Sequence, residues 1–124
     1  MDRVRGREGI DVTRARLVQQ AVAFTFGERF EDIAAPTRRT RAAAHARQTA
    51  MYLAHIAFGM SLGRVANAFG RDRSTVAHAC RVIEDRREDD AFDDRLDRLE
   101  EFLRAAPSPA SLPENDVDAR MKAA

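Results

Sequence analysis

Apolar residues recur along this chain with the spacing of an α-helix, and no alternating run is long enough to predict a β-strand. Residues that begin or end helices divide the pattern between Ile10 and Ala105 into successive segments. The spacing predicts helices over residues 13–26, 30–34, 42–58, 62–69, 72–87 and 92–105. We therefore expect an all-α fold, a small helical bundle.

The predicted helix ends coincide with residues suited to them. Three helices begin at an oxygen-bearing side chain that can cap them: Thr13, Ser61 and Asp72. Three end at a glycine: Gly27, Gly59 and Gly70. The first helix is expected to bury Leu17, Val18, Ala21 and Phe24 or Thr25. The last is expected to bury Phe92, Leu96, Leu99 and Leu103, with Phe102 at the margin.

Both ends of the chain differ in composition from the helical segment. Residues 1–9 are charged and are expected to form a flexible basic N-terminus, and residues 10–105 to form one domain. Residues 106–124 contain three prolines and no periodicity, which predicts a disordered tail. No secretory signal and no apolar stretch of roughly 18 residues is present, so no membrane partner is expected. The single cysteine, Cys80, indicates a reducing, cytoplasmic setting and is expected in the core.

Charge is unevenly distributed although the formal net charge is only +1. Residues 1–81 contain 14 arginines and 7 acidic residues, whereas residues 82–124 contain 7 basic and 13 acidic residues. A basic segment of this kind favours a polyanionic partner. The alternative is the codon bias of a GC-rich genome, since every basic residue but Lys122 is arginine.

The stretch "AFGRDRSTVAHACRVI", residues 68–83, has the pattern of a helix-turn-helix. A short helix leads through a glycine turn into a longer helix whose buried stripe is Val76, Ala79, Cys80 and Ile83. The opposite face has Ser74, Ala77, His78 and Arg81. An ordinary capped surface helix would have the same spacing, so the pattern alone leaves both interpretations open.

The start of this helix has the chemistry for contact with DNA. Arg73, Ser74 and Thr75 offer donors and acceptors to base edges in the major groove, and Asp72 can accept from a cytosine amino group. Free N–H groups at a helix start also favour a nearby phosphate.

The segment "RQTAMYLAHIAFGMSLGRVANAFGRDRSTVAHACRVIE", residues 47–84, resembles the C-terminal DNA-binding domain (domain IV) of the bacterial replication initiator DnaA, a Trp repressor-like helix-turn-helix fold. The resemblance extends upstream through "PTRRTR" and downstream to about Ala105. It implies binding of double-stranded DnaA-box elements or a replication origin.

The resemblance also implies roles for individual residues. Arg39, with Arg38 and Arg41 beside it, matches the basic loop that enters the minor groove. Asp72, Ser74 and Thr75 match residues that contact bases and phosphate, and Arg47 and Gln48 match backbone-contacting residues. The expected DNA-binding set is Arg38, Arg39, Arg41, Arg47, Gln48, Arg71, Asp72, Arg73, Ser74, Thr75, His78 and Arg81.

This sequence departs from the family pattern at positions that affect box specificity. Only Gly70 precedes the "RD" pair, where the family usually has two glycines. Arg73 stands where histidine is usual, and an arginine favours a guanine edge. No GxxxxGK[ST] phosphate loop is present, so we expect a stand-alone domain without the ATPase of DnaA.

Other functions remain open at this stage. The chain could be an interaction module that binds the replication initiator or its regulators without DNA, or a general helix-turn-helix transcription factor. No catalytic constellation, cofactor motif or metal-ligand spacing is visible, and His45 and His55 are expected on the surface. A nucleoid-associated monomer is expected, since no dimerisation element is apparent.

Overall fold

A computed structural model describes residues 2–36 and 40–108, with side chains described from Gly6 onward. Within these ranges the chain forms helices and no strand, which confirms the predicted all-α fold. The helices are α1 (Asp2–Phe26), α2 (Phe30–Ala34), α3 (Arg41–Phe58), α4 (Leu62–Phe69), α5 (Arg73–Arg86) and α6 (Asp90–Ala105). None of the described helices is long and apolar enough to cross a membrane.

Helix α3 is the centre of the bundle and packs against each of the other five helices. Its middle is rich in small and apolar residues, so neighbouring helices can approach it closely. Ala50, Met51, Leu53 and Ala54 are all fully or almost fully buried. Thr40 begins the helix by accepting a 3.0 Å hydrogen bond from the N–H of Ala43, and Gly59 ends it in the left-handed region.

The predicted boundaries agree closely with the observed ones for most helices. α2 and α4 coincide with their predicted ranges, and α3, α5 and α6 begin within two residues of theirs. Ser61 accepts from the N–H of Arg64, as a capping residue should. Leu96, Leu99 and Leu103 are buried as predicted, and Phe92 is partly buried.

The first helix begins much earlier than predicted. α1 starts at Asp2, so it includes residues 2–9, which the predicted helix left outside as a flexible segment. Thr13 is not an N-cap, because its hydroxyl donates a 2.9 Å hydrogen bond back to the Gly9 carbonyl within the helix. Asp11 is only 5% exposed and accepts bonds of 2.9 and 2.6 Å from Arg64 of α4. This long-range ion pair attaches the early turns of α1 to the domain.

One predicted core residue of α1 lies on the surface. The buried stripe of the helix runs through Asp11, Ala15, Val18 and Val22. Phe24 follows Val22 by two residues, which places it about 200° further around the helix. Its side chain is 92% exposed and Thr25 is exposed as well, so the prediction that Phe24 or Thr25 is buried is wrong.

The cysteine and two of the histidines are all partly buried. Cys80 packs against the core, and burial raises the pKa of its thiol. His45 and His55 were expected on the surface, but both are partly buried. The ring centroids of His45 and Phe92 are 5.5 Å apart. Burial, and then the charge of Arg86, lower the pKa of His45. His55 Nδ1 donates to the Met60 carbonyl at 2.7 Å.

Arg87, just after α5, joins the last two helices to α3. Its guanidinium pairs with Asp93, Asp97 and Glu100 of α6, and it donates to the Tyr52 hydroxyl at 3.2 Å. The side chain is only 16% exposed. Burial alone would lower its pKa, but the hydrogen bonds to Glu100, Asp93 and Tyr52 raise that pKa overall.

Candidate nucleic-acid interface

A single glycine forms the turn between α4 and α5. Gly70 has φ of +64°, in the left-handed region that favours glycine. The N–H of Arg71 donates to the Ala66 carbonyl at 2.9 Å, and that of Gly70 donates to the Asn67 carbonyl at 3.4 Å. These two bonds form a Schellman motif. Phe69 is helical and packs against the core, so the missing second glycine does not prevent the turn.

Burial fixes which face of α5 points outward. Val76, Ala79 and Ile83 are fully buried and pack toward α3. The opposite face is therefore in solvent: Ser74, His78 and Arg81 are exposed, and Ala77 is half-buried between them. The predicted division of this helix into a buried stripe and an outer polar face is confirmed.

The first turn of α5 retains unused hydrogen-bonding groups. Asp72 occupies the N-cap position, and its carbonyl accepts from the N–H of Val76 at 3.1 Å. Its carboxylate makes no capping hydrogen bond, unlike the side chains of Thr40 and Ser61. The predicted position of the cap is thus correct, but the side chain does not perform the capping. Both the carboxylate and the first N–H groups of the helix can bind a ligand.

Three arginines of the predicted DNA-binding set are exposed and make no ion pair within the described ranges. Arg73 and Arg81 of α5 and Arg41 at the start of α3 all lie in solvent. No ion pair within the described ranges involves any of the three. Their charges therefore remain available to an anion such as a phosphate.

Arg71 links the helix-turn-helix to the basic loop that follows α2. Its Nη1 donates to the Pro36 carbonyl at 2.7 Å, and its Nη2 donates to the carbonyl of Ala35. The loop leaves α2 through these two residues and enters α3 at Thr40. Arg71 is therefore used within the protein, where it ties one end of the loop to the start of α5.

Arg47 is held inside the domain. Its Nε donates to the Ile33 carbonyl at 2.7 Å, and its Nη2 donates to the Asp32 carbonyl at 3.0 Å. Burial, and then the charge of Arg71, lower its pKa. Because it is only 9% exposed, Arg47 acts mainly inside the domain, and its predicted contact with the DNA backbone stays a prediction.

Arg47 and Arg71 together provide donors that α2 itself lacks. A five-residue helix leaves its last carbonyls without partners inside the helix. The two guanidiniums donate to four carbonyls in and after α2. Sequence reasoning missed this role, although the short helix with no capping side chain after it was a signal that distant donors would be needed.

Gln48, Arg38 and Arg39 also belong to the predicted DNA-binding set. Gln48 is half-buried on α3. Arg38 and Arg39 lie outside the described residues, between Pro36 and Thr40. Their attachment points are nevertheless defined, since Arg71 holds Pro36 and Thr40 caps α3.

Comparison with known proteins finds similarity over a region that includes the helix-turn-helix. Residues 15–83, more than half of the chain, match the family model described as bacterial DnaA protein helix-turn-helix. The chain is 37% identical over 81 residues to the chromosomal replication initiator protein DnaA of Thermodesulfovibrio yellowstonii. It is 46% identical over 76 residues to that of Anaplasma marginale, and 38% identical over 90 residues to that of Symbiobacterium thermophilum.

These matches cover 64%, 60% and 71% of this chain but only 18%, 16% and 19% of the respective relatives. The chain therefore spans less than a fifth of the length of each curated relative. The similarity concerns one region of a much longer protein.

Solved structures show the same fold. A crystal structure of a DNA replication initiation factor superimposes with a TM-score of 0.70 at 28% identity, covering 82% of this chain and 31% of that one. A replication initiator DnaA bound to AMPPCP and single-stranded DNA gives 0.69 at 27% identity, covering 84% and 32%. The sequence match, the helix-turn-helix geometry and the superposition agree that this chain belongs to the bacterial DnaA helix-turn-helix family.

Proposed function

We propose that this protein binds duplex DNA sequence-specifically, at an element of the DnaA-box type, and thereby modulates replication initiation or transcription. The observation that supports the proposal most strongly is the start of α5. There Asp72, Arg73, Ser74 and Thr75 are all exposed at the start of the second helix of the helix-turn-helix, in a chain of the DnaA helix-turn-helix family.

Each side chain at this helix start has a distinct use in the major groove. The Arg73 guanidinium donates two parallel hydrogen bonds to the O6 and N7 of a guanine. The unused Asp72 carboxylate accepts from a cytosine amino group. The hydroxyls of Ser74 and Thr75, with the free N–H groups of the first turn, bind a base edge or a phosphate.

Residues farther from the turn position the domain on the DNA backbone. Arg81 and His78 extend the outer face of α5, and Arg41 lies at the start of α3. Contacts from such residues to phosphates raise affinity without selecting sequence. Arg38 and Arg39, in the loop before α3, are proposed to enter the adjacent minor groove. Gln48 is proposed as a further contact to the backbone.

A binding titration at several salt concentrations tests this proposal. One duplex contains a DnaA-box element, and the other contains the same bases in scrambled order. We expect tighter binding to the box at every salt concentration, and weaker binding after Arg39→Ala or Thr75→Ala. Equal affinity for both duplexes would leave only the electrostatic, sequence-independent component and would contradict specific recognition.

The cellular role is tested by mapping bound sites across the genome. Enrichment at the replication origin supports control of initiation, whereas enrichment at promoters elsewhere supports transcriptional control. Binding without preference for either would contradict both roles.

A further inference from the structure

An apolar groove lies between α1 and α6. Two phenyl rings stand in solvent along it: Phe24 of α1 is 92% exposed, and Phe102 of α6 is 55% exposed. Leu17, Ala21 and Leu99 also line the groove, whose volume is about 740 Å³. Exposed aromatic residues grouped in this way are unusual on a small soluble domain and are typical of interaction sites.

The groove has a positive rim. Arg95 and Arg98 of α6 line it beside Phe24, and none of the described residues that line it is acidic. The groove continues past Phe102 to Ala105 and Pro107, where Arg16 of α1 adds a third guanidinium. A strip of apolar surface is thus bordered by arginines.

This positive rim is a consequence of how α6 is packed. The helix has six acidic residues, but Asp93, Asp97 and Glu100 pair with Arg87, and the other three are not among the described residues that line the groove. Arg95 lies over the Phe26 ring, with its guanidinium carbon 5.8 Å from the ring centroid. Arg98 has no ion-pair partner within the described ranges. An acidic helix therefore presents an unneutralised basic edge to the groove.

The groove is distinct from the proposed DNA-binding surface. Within the part of the chain that the structure describes, its lining residues come from α1, α6 and the chain just after α6, and none comes from α4 or α5. A phosphate backbone would use the arginines but would leave the two phenyl rings without a partner. The ligand must offer apolar and acidic groups together.

We propose that this groove binds an amphipathic helix of another protein, with an apolar stripe flanked by aspartate and glutamate. A helix placed between two helices buries its apolar side chains in the groove and sets its flanking carboxylates against the arginines. A second copy of this chain fits less well. In a two-fold interface the same patch meets itself, so Arg95 and Arg98 of the two copies would approach one another.

Three synthetic peptides of about five helical turns probe the groove. The first has leucines at helical spacing flanked by glutamates, the second has lysines instead of the glutamates, and the third has the first peptide's residues in scrambled order. Fluorescence anisotropy measures the binding of each labelled peptide to the full chain. We expect the glutamate peptide to bind and the other two to bind weakly or not at all.

Two substitutions locate the binding site. Phe24→Ser removes an almost fully exposed ring, so the fold should be retained. This variant should bind the glutamate peptide roughly tenfold more weakly. Arg98→Glu should bind the glutamate peptide more weakly and should prefer the lysine peptide. Arg29→Glu, a charge reversal at an exposed arginine near α2, should change the binding of neither peptide. Affinity of the Phe24→Ser variant for DNA should equal that of the unmodified protein.

Several outcomes would overturn the proposal. Equal binding of the scrambled peptide, or no loss in either groove variant, would show that the groove is not a selective site. Dimerisation in sedimentation that Phe24→Ser abolishes would assign the groove to a second copy. Tighter peptide binding after Asp116→Lys and Asp118→Lys together would assign it to the C-terminal segment of the chain itself.

Discussion

The Arg71 guanidinium donates a 2.7 Å hydrogen bond to the carbonyl of Pro36, 35 residues earlier in the chain. Arg71 lies in the turn of the helix-turn-helix, and Pro36 lies at the start of the basic loop. The two segments proposed to enter the major and minor grooves are thus joined by one side chain. The residues at the start of the basic loop, Ala35 and Pro36, are therefore held against the turn before DNA is bound, which lowers the ordering cost of binding.

Arg71→Lys should therefore weaken DNA binding although it retains the positive charge. A lysine cannot donate to two carbonyls in the planar geometry of a guanidinium. We expect a loss of roughly tenfold in affinity, with the salt dependence unchanged. Titrations at several salt concentrations measure both quantities, and Arg29→Lys is the control. A variant that binds like the unmodified protein would indicate a simple phosphate contact, which lysine can replace.

Asp72→Ala should change DNA recognition but not the stability of α5. The Asp72 carboxylate makes no capping hydrogen bond, so its loss should lower the free energy of unfolding by less than about 0.5 kcal/mol. Thr40→Ala is the matched control, because Thr40 does cap its helix, and it should cost about 1 kcal/mol. Urea unfolding compares the two variants. Equal costs would show that Asp72 acts mainly as a cap.

Arg73→Ala and Arg81→Ala should affect binding in different ways. Loss of the proposed guanine contact at Arg73 should cost about 1–3 kcal/mol and relax the preference at one base pair. Loss of Arg81 should weaken all duplexes equally and reduce the salt slope by about 1. Titration against single-base variants of the preferred site distinguishes them. An unchanged site preference in Arg73→Ala would refute the assigned base contact.

Arg87→Gln should strongly destabilise the domain. It would leave Asp93, Asp97 and Glu100 close together without their shared counter-charge. Because these carboxylates are partly exposed, we expect a loss of about 2–3 kcal/mol in the free energy of unfolding. Arg104→Gln is the control, since Arg104 is an exposed partner of Glu100 at 3.4 Å and should cost below about 1 kcal/mol. Similar losses in the two variants would contradict the central role of Arg87.

The raised pKa of Tyr52 leads us to expect a loss of stability in alkaline solution. Burial, and then its hydrogen bond to Glu84, raise the pKa of Tyr52 from 10.0 to about 12. The unfolded chain therefore releases the Tyr52 proton at a lower pH than the folded protein does. The contribution of this proton to the free energy of unfolding is complete below pH 10.0 and is lost as the pH rises through about 12.

The chain has one tyrosine and no tryptophan, so the phenolate absorbance of the folded protein reports Tyr52 alone. Its midpoint should lie near 12, and Glu84→Gln should lower it because the hydrogen bond to the Glu84 carboxylate and the charge of that carboxylate both raise the pKa of Tyr52. A midpoint at the ordinary tyrosine value in the folded protein would contradict the buried hydrogen bond.

The positions of the helices were largely determined by local sequence. Capping residues and glycines act within a few residues of their own position, so they can be recognised without a three-dimensional structure. Ser61 and Gly70 therefore marked the ends of α4 correctly, and Val76 and Ile83 marked the buried face of α5. The exposed side chains of the proposed DNA-binding helix followed directly from that periodicity.

Contacts between distant residues were decided only by the tertiary structure. Nothing near Arg47 or Arg71 in sequence indicates that each donates to carbonyls at the end of α2. The Asp11–Arg64 pair that anchors the early turns of α1 spans 53 residues. Charge counts were misleading for α6, because Arg87 binds three of its carboxylates, whereas Arg95 and Arg98 lie beside the exposed Phe24. Local pattern determines which residues are helical, whereas the partners of long arginine side chains depend on which helices meet.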